Sequence, residues 1–295
     1  MNASTRAVLL MICASALVAA TSLIAKTLGA PAANGALHPM QVSAGRFGFA
    51  LLTLLAVIAL RPGLRPRFRG ARWHWHIMRT ISGWAGVTLM FAAVAAMPVA
   101  EATAISFLSP PITMVLAVFM LGESLTARKV LAGALAALGG GLILQPGADA
   151  FQIAGLYALA SAACVSVELM FIKKLSDTEP ALRILLINNM LGTTLALGAA
   201  SLVWTAPTPG QWPLLVAIGV VMVSGQSLFI QSMKRAAAST LMPVFYTVLL
   251  FAALYDWLLN GVVPTGIAVI GGALIVAGAL VLTQNGAQGA ARRSS

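Results

Sequence analysis

Apolar residues occur along this chain in long runs that short polar stretches separate. Ten of these runs approach the ~20 residues that a helix needs to cross ~30 Å of hydrocarbon. The runs cover 7–26, 39–60, 80–97, 102–121, 129–145, 152–172, 182–204, 212–233, 236–255 and 264–283. The pattern therefore predicts an all-α integral membrane protein with ten transmembrane helices.

Two stretches of the chain match each other at a constant offset of 133 residues. The matched pairs include Ala104 and Ala237, Ser106 and Ser239, Leu108 and Leu241, Pro110 and Pro243, and Gly139 and Gly272. The ends of the two copies carry opposite charge, because Glu101 corresponds to Lys234. Two copies that face opposite ways can build one transport site at their interface. We therefore expect two inverted five-helix repeats, at 7–145 and 152–283.

The composition excludes a soluble globular domain. The chain is 60% hydrophobic and 8% charged, with a mean hydropathy of +0.94, whereas soluble domains carry about 25% charged residues. Both cysteines, Cys13 and Cys164, fall inside apolar runs, which argues against a disulfide framework or a zinc site. We expect no cofactor and no metal site, since clustered metal ligands are missing from the sequence.

The first apolar run has a second interpretation as a secretory signal peptide. Arg6 precedes an apolar core, and Val18-Ala19-Ala20 offers small residues for cleavage. The ten-span count and the five-plus-five symmetry both require this run, so we interpret it as the first transmembrane helix.

The lysines and arginines predict the orientation, because cytoplasmic loops are enriched in them. With the N-terminus inside, 16 of the 18 fall in cytoplasmic loops or ends, many of them in the loop Arg61–Arg79. Lys26 lies near the outer face and Arg46 lies within a span. The split predicts a multi-pass protein with both termini cytoplasmic. Topology and phospholipid contact then account for the net charge of +11, so no nucleic-acid partner is expected.

Several motifs together carry a family resemblance: Met97-Pro98-Val99-Ala100-Glu101-Ala102-Thr103-Ala104, Pro110-Pro111, Leu121-Gly122-Glu123-Ser124-Leu125-Thr126, and Arg46-Phe47 in the second span. They resemble the EamA-like branch of the drug/metabolite transporter superfamily. The resemblance implies a bacterial inner-membrane transporter with ten helices in two five-helix repeats, cytoplasmic termini and alternating access, but it does not carry the substrate. In the second copy, Tyr255-Asp256-Trp257 replaces the usual Leu-Gly-Glu, so a loop with a different role is expected there.

Two prolines lie inside matched spans. Pro110 cannot donate to the carbonyl of Ser106, and Pro243 cannot donate to that of Ser239. A freed carbonyl within the bilayer must face protein or a wet cavity. Pro110 and Pro243 therefore predict symmetric kinks beside a central cavity; packing kinks relieved by the serines are the alternative.

Glu168 and Arg46 are the ionisable residues that the pattern places inside spans, where each costs ~2.5–3.5 kcal/mol on insertion scales. Glu168 is predicted about 7.5 Å from the cytoplasmic end of its helix. It would bind a cationic group of a substrate or carry a coupling proton; the alternative is a carboxylate that snorkels to the interface. For Arg46, whose position the family shares, a structural ion pair or a carbonyl cap competes with ligand contact.

Uncharged residues complete the predicted cavity. Trp84, Thr88 and Phe91 fall on one helical face, which would offer an aromatic wall and a hydroxyl to a ring-containing substrate. Such a stripe is also typical of simple packing. Further hydrogen-bonding candidates on later spans are Asn188, Gln226 and Tyr246.

These features predict a secondary transporter of small organic metabolites, most simply an exporter of amino-acid-like or zwitterionic compounds. The alternatives are an uptake transporter for a cofactor-like solute of the riboflavin or S-adenosylmethionine type, or a lipid-linked flippase. An enzyme is not expected, because Glu168 has no histidine partner in the pattern. The expected partners are a small-molecule substrate, membrane lipid and a coupling proton, and the chain works as a monomer or a homodimer.

Overall fold

The computed structural model describes residues 3–29, 35–64, 66–97, 99–145 and 153–283, and these residues contain no strand. They form a short 3₁₀ helix at Pro62–Leu64 and twelve α-helices. The α-helices are α1 (Ala3–Gly29), α2 (Pro39–Leu60), α3 (Trp73–Ala96), α4 (Val99–Ser106), α5 (Ser109–Leu121), α6 (Ala127–Leu144), α7 (Ile153–Thr178), α8 (Ala181–Ala200), α9 (Gln211–Met233), α10 (Ala238–Phe245), α11 (Thr247–Asn260) and α12 (Gly266–Thr283).

Counted as spans, these helices agree with the predicted membrane fold. Nine stretches of the described chain are long and apolar enough to cross a bilayer, and α12 adds a shorter apolar helix. Two of the nine stretches, Ala102–Leu121 and Ala238–Leu259, each consist of two consecutive helices. The all-α membrane fold is confirmed, with two spans broken in the middle.

Two helices reach further toward their polar ends than the apolar pattern predicts. Helix α3 begins at Trp73 rather than residue 80, and α7 continues to Thr178 rather than residue 172. The backbone stays helical there because a helix satisfies its own polar groups at the membrane interface. Lys173 remains in α7 by donating to Asp177 (2.8 Å) and to the carbonyl of Met233 (2.7 Å). Consequently Arg79 lies in a span, and the predicted loop Arg61–Arg79 is too long.

Connections on one face of the molecule are joined by hydrogen bonds. Glu179 accepts from the backbone N–H of Arg72 (2.8 Å), and its carbonyl accepts from Lys234 (2.6 Å). Glu123 accepts from the backbone N–H of Ala238 (2.8 Å). The connections 61–72, 122–126, 179–180 and 234–237 therefore share one face. We call it the basic face.

The remaining described connections meet on the other side, which we call the opposite face. Lys26 pairs with Asp256 (3.0 Å), and Gln145 contacts Thr265 (3.4 Å). Connection 35–38 joins 201–210 on this side through the Gln211 amide, which donates to the carbonyl of Gly35 (2.9 Å). Successive connections thus alternate between faces, as they must if each span crosses the membrane.

The main helix contacts between the halves have counterparts in which the corresponding helices of the two halves are exchanged. Helix α3 packs on α7 as α9 packs on α1, and α5 packs on α7 as α11 packs on α1. Helices α2 and α8 pack on each other, as do α6 and α12. Inverted repeats of five spans produce this pattern.

Glycines allow α6 and α12 to touch through their backbones. A Cβ on Gly139 would lie 2.4 Å from the carbonyl oxygen of Gly271, and a Cβ on Gly271 would lie 2.5 Å from that of Gly139. Apolar helices in lipid gain no hydrophobic free energy by associating. Small residues at such crossings instead let the backbones approach closely enough for van der Waals packing to hold the helices together. Gly139 and Gly271 therefore serve packing between these two helices of the same chain.

The two broken spans are interrupted at non-equivalent positions. In the first, Phe107 and Leu108 separate α4 from α5, and Pro110 lies in the first turn of α5, where an amide hydrogen is not needed. In the second, Pro243 lies inside α10, and the interruption follows at Tyr246. The predicted symmetric kinks are thus breaks with different geometry in the two halves.

The two breaks contact each other. Phe107 has lost its helical donor because residue 111 is a proline. The hydroxyl of Tyr246, buried in the other half, donates to the Phe107 carbonyl at 2.5 Å. This bond satisfies a carbonyl within a membrane span and ties the halves together.

The second copy also ends differently from the first. Helix α5 ends at Gly122, whose φ of 66° suits glycine. At the equivalent position, Tyr255 continues the helix, and α11 ends only at Gly261 with φ of 68°. The expected loop at Tyr255-Asp256-Trp257 is therefore wrong, because no glycine stops the helix there.

We expect Tyr246→Phe to lower the thermal unfolding midpoint of the detergent-purified protein, because it leaves the Phe107 carbonyl without a donor at a cost of about 1–3 kcal/mol. Tyr255→Phe is the matched control. Its hydroxyl donates to Ala16 (3.3 Å), a carbonyl within continuous helix α1. Equal midpoints for the two variants would contradict the role given to Tyr246.

Candidate functional site

A cavity of about 160 Å³ lies between the two halves, walled by α2, α3, α7, α8 and α9. Six of the eight predicted site residues line it: Arg46, Trp84, Thr88, Glu168, Asn188 and Gln226. The walls come from both repeats, so relative movement of the halves would change the cavity's shape.

The cavity continues toward the opposite face. A second cavity shares Ser43, Arg46 and Val87 with it and extends to Gly29 and Pro39. Those two residues flank the connection between α1 and α2 on the opposite face. In this conformation, access to the site therefore comes from that side.

Glu168 lies at the inner end of the cavity, deeper than the sequence predicts. It precedes the end of α7 at Thr178 by ten residues, which is about 15 Å along a helix. Gly83 of α3 makes room for it, since a Cβ on Gly83 would lie 2.9 Å from Glu168 Oε2. The carboxylate is 24% exposed, into the cavity.

Arg79 is the partner that the sequence pattern missed. Its Nε lies 3.7 Å from Glu168 Oε1, and its side chain is 1% exposed. Because the third span was predicted from residue 80, Arg79 was assigned to a loop. The tryptophans at Trp73 and Trp75 were the available signal, since aromatic residues mark the membrane interface. Placing the interface there puts Arg79 about 9 Å inside the helix.

Arg46 approaches the same carboxylate from α2. Its guanidinium interacts electrostatically with Glu168. It also lies over the ring of Phe47, 4.5 Å from the centroid. Gly192 of α8 leaves space for that ring, because a Cβ there would lie 2.5 Å from it. Arg46 Nε is buried and has no hydrogen-bond partner among the described residues.

The charges around Glu168 do not balance. Two guanidinium groups, on Arg46 and Arg79, interact with this single carboxylate. A buried charge without a partner is expensive. Arg46, Arg79 and Glu168 together therefore carry one positive charge, and Arg46 and Glu168 are the two of them that line the cavity.

Some of the uncharged residues predicted for the site line the cavity, and others do not. Trp84 and Thr88 lie one turn apart on α3, and Gln226 Oε1 is buried with no partner in the described chain. The Phe91 side chain lies outside the described residues. Tyr246 is not on the cavity wall, because its hydroxyl is engaged by Phe107.

A second cluster, centred on the buried side chains of His76 and Glu179, lies between the cavity and the basic face. We call it the Glu179 cluster: Arg72, His76, Glu179, Arg183 and Lys234. His76 Nε2 lies 3.1 Å from Glu179 Oε2, with side chains only 1% and 2% exposed. Arg183 Nη1 lies 3.7 Å from the same oxygen. The pKa of Lys234 lies below its ordinary value. Burial is the largest cause, and the positive charge of Arg235 adds to it, whereas the negative charge of Asp177 opposes the shift.

The Glu179 cluster joins the two repeats. Arg72 and His76 belong to the first repeat, whereas Glu179, Arg183 and Lys234 belong to the second. The apolar pattern did not reveal it, because His76 and Glu179 were each expected at a loop or helix end and are 103 residues apart. The cluster therefore joins the two repeats on the side of Glu168 that is nearer the basic face.

The contacts predict how Glu168 and Arg79 depend on each other. Glu168→Gln removes the carboxylate that balances two guanidinium groups and should cost about 2–3 kcal/mol of stability. Glu168→Gln combined with Arg79→Gln should be more stable than Glu168→Gln alone, because it removes a stranded charge. Thermal unfolding of both single variants and the double variant measures the coupling. Additive effects would indicate that the two side chains act independently.

Comparison with known proteins agrees with this architecture. A model of the EamA-like transporter family matches residues 5–145 and 152–284. A riboflavin transporter of Vibrio cholerae is 27% identical over 78% of this chain and 80% of its own length. A pseudopaline exporter of Pseudomonas aeruginosa is 26% identical over 70% of this chain and 74% of its own.

Two further comparisons extend the likeness. An S-adenosylmethionine uptake transporter of Rickettsia bellii is 24% identical over 83% of this chain and 84% of its own length. A solved crystal structure shares the fold, with a TM-score of 0.76 and 23% identity over 95% of this chain and 97% of that one. Because the family match covers nearly the whole sequence, the protein belongs to the EamA-like transporter family of the drug/metabolite transporter superfamily, as a multi-pass membrane transporter and not an enzyme.

Proposed function

We propose that the protein is a secondary transporter that exports amino-acid-like or zwitterionic metabolites across a bacterial inner membrane by alternating access. The observation that carries the proposal is a charged cavity between two inverted repeats that continues toward one face only. Glu168 lies at its inner end with Arg79 enclosed behind it, and we propose that the Glu179 cluster closes the other side.

Alternating access requires the contacts that close one side to be reversible. The Glu179 cluster suits this role because its main bonds cross between repeats: Glu179 binds the Arg72 amide at 2.8 Å and approaches His76 at 3.1 Å. Opening toward the basic face would separate these groups. The breaks beside Pro110 and Pro243 would be the points about which the two repeats rotate relative to each other.

The basic face is proposed to lie in the cytoplasm with both chain termini. The connection 61–72 carries Arg61, Arg67, Arg69 and Arg72, and positively charged connections are retained on the cytoplasmic side. The described cavity would then face outward, as in the release step of an exporter. Glu168 would contact a cationic substrate group or carry a coupling proton.

Uptake of a cofactor-like solute is the second candidate. It is favoured by the names of two relatives, a riboflavin transporter and an S-adenosylmethionine uptake transporter. Phe47 and Trp84 both line the cavity and offer flat surfaces to a ring. Because the described cavity is built within one chain, the site itself requires no second subunit.

Transport by purified protein in liposomes tests the proposal. Counterflow of a labelled amino-acid mixture should exceed that of empty liposomes, and Trp84→Ala should reduce it about tenfold, as expected for loss of ~1.4 kcal/mol of contact. Trp257→Ala, on an exposed tryptophan of α11, is the control and should transport normally. Counterflow of riboflavin or S-adenosylmethionine without amino-acid transport would favour the second candidate, and no solute transport at all would contradict both.

Loosening the Glu179 cluster should open the basic side. In a Cys13→Ala, Cys164→Ala background, Thr80→Cys on the cavity wall should react about tenfold faster from the basic face once Glu179→Gln is added, since a charge-assisted contact is lost. Asp177→Asn is the matched control, because Asp177 is a half-exposed carboxylate at the same end of α7.

Orientation is controlled in the same membranes. Separate cysteines at Arg67 and Ala206 report which face a membrane-impermeant reagent reaches, and only the Arg67 position should react from the cytoplasmic side. Equal labelling of Thr80→Cys with and without Glu179→Gln would show that the cluster does not control access.

A further inference from the structure

We infer that the cavity recognises its solute through a carboxylate group bound by Arg46, with the Gln226 amide oxygen accepting a hydrogen bond from a neighbouring N–H or O–H of that solute. The inference rests on the proposed function and specifies the substrate class. It assigns the decisive charged contact to Arg46 rather than to Glu168.

The first step is the pairing of Glu168. Arg79 is almost completely enclosed, and the carboxylate of Glu168, 3.7 Å from it, is the counter-charge that the described structure provides. Arg79 does not line the cavity. Glu168 is therefore paired within the protein with an enclosed guanidinium, at a distance longer than a hydrogen bond.

The second step is the position of Arg46. It lines both the central cavity and the one that continues toward the opposite face. Its guanidinium interacts electrostatically with Glu168, and Arg79 competes for that carboxylate. Its buried Nε has no partner among the described residues. Arg46 thus places a guanidinium on the wall of both cavities and retains one unpaired donor.

The third step is the kind of anion. Arg46, Arg79 and Glu168 together carry one surplus positive charge, so one carboxylate balances it, whereas a phosphate dianion would leave a surplus negative charge. A guanidinium also binds a planar carboxylate through two parallel hydrogen bonds. The ring of Phe47 packs against Gly192 and lies under the Arg46 guanidinium. This stacking limits the movement of the guanidinium and so favours binding of a carboxylate in a fixed orientation.

The fourth step is the acceptor. Gln226 Oε1 is buried, lines the same cavity and has no partner in the described chain. An acceptor left empty in a low-dielectric site favours a solute that brings a donor. A donor close to a carboxylate describes an amino acid or a hydroxy acid, but not a simple amine.

Matched probes test the inference on purified protein by thermal unfolding. The probes are 3-phenylpropanoate, 3-phenylpropanamide and 3-phenylpropylamine, which share one skeleton and differ in charge. At equal ionic strength, the carboxylate should raise the unfolding midpoint of the wild type and the other two should not. Arg46→Gln should weaken the apparent affinity for the carboxylate about tenfold or more, and Arg46→Lys should restore part of it. Arg128→Gln, on an exposed arginine of the basic face, should leave the response unchanged.

Several outcomes would overturn the inference. They are equal stabilisation of the wild type by the amide or the amine, an undiminished carboxylate response in Arg46→Gln, or a stronger response to inorganic phosphate than to the carboxylate. The wild-type comparison decides the matter even if the Arg46 variants fold poorly. Liposome transport of amines or neutral solutes alone would refute the carboxylate site and leave the transporter intact, whereas carboxylate binding without any transport would do the reverse.

Discussion

The constraint on which this structure depends is that hydrocarbon offers no hydrogen-bond partner, so each polar group at membrane depth must find one inside the protein. The broken spans obey it across the repeat boundary. Tyr246 supplies the hydrogen bond that Pro111 withholds from Phe107. Near the basic face, Glu123 accepts from the first amides of α10. The irregular segments that shape the cavity are thus also the segments that hold the halves together.

The same constraint changes the meaning of a carboxylate inside the membrane. Glu168 alone suggests a binding site for cations, but the structure surrounds it with two guanidinium groups. One of them, Arg79, is enclosed with it, and the other, Arg46, borders the cavity. Recognition then follows from the sum of the charges rather than from the most unusual single residue, and the sum favours an anionic group on the solute.

Sequence patterns were sufficient wherever the decisive information was local. Apolar run length predicts the spans, and the 133-residue offset predicts the repeat. The local pattern of apolar and polar residues does not predict burial or hydrogen-bond partners where a contact between residues far apart in the sequence determines them. Arg79 follows a tryptophan- and histidine-rich turn that resembles a loop, while Glu179 is buried only because Arg72 and His76 of the other repeat meet it. Tyr246 seemed a cavity residue because nothing near it reveals that Phe107, 139 residues away, needs a donor.

Differences between the repeats explain why the described conformation is closed on the basic side. If the halves were identical, closed-inside and closed-outside states would have equal energy. On the basic side, the Glu179 cluster centres on the buried contact between His76 and Glu179, and leaving that carboxylate without its partners would cost several kcal/mol. On the opposite face, Lys26 and Asp256 form an ion pair with side chains 64% and 35% exposed, which contributes about 0–1 kcal/mol. The two ends of the protein are thus held by contacts of different strength, and in the proposed alternating-access cycle a bound solute would have to supply that difference for the basic side to open.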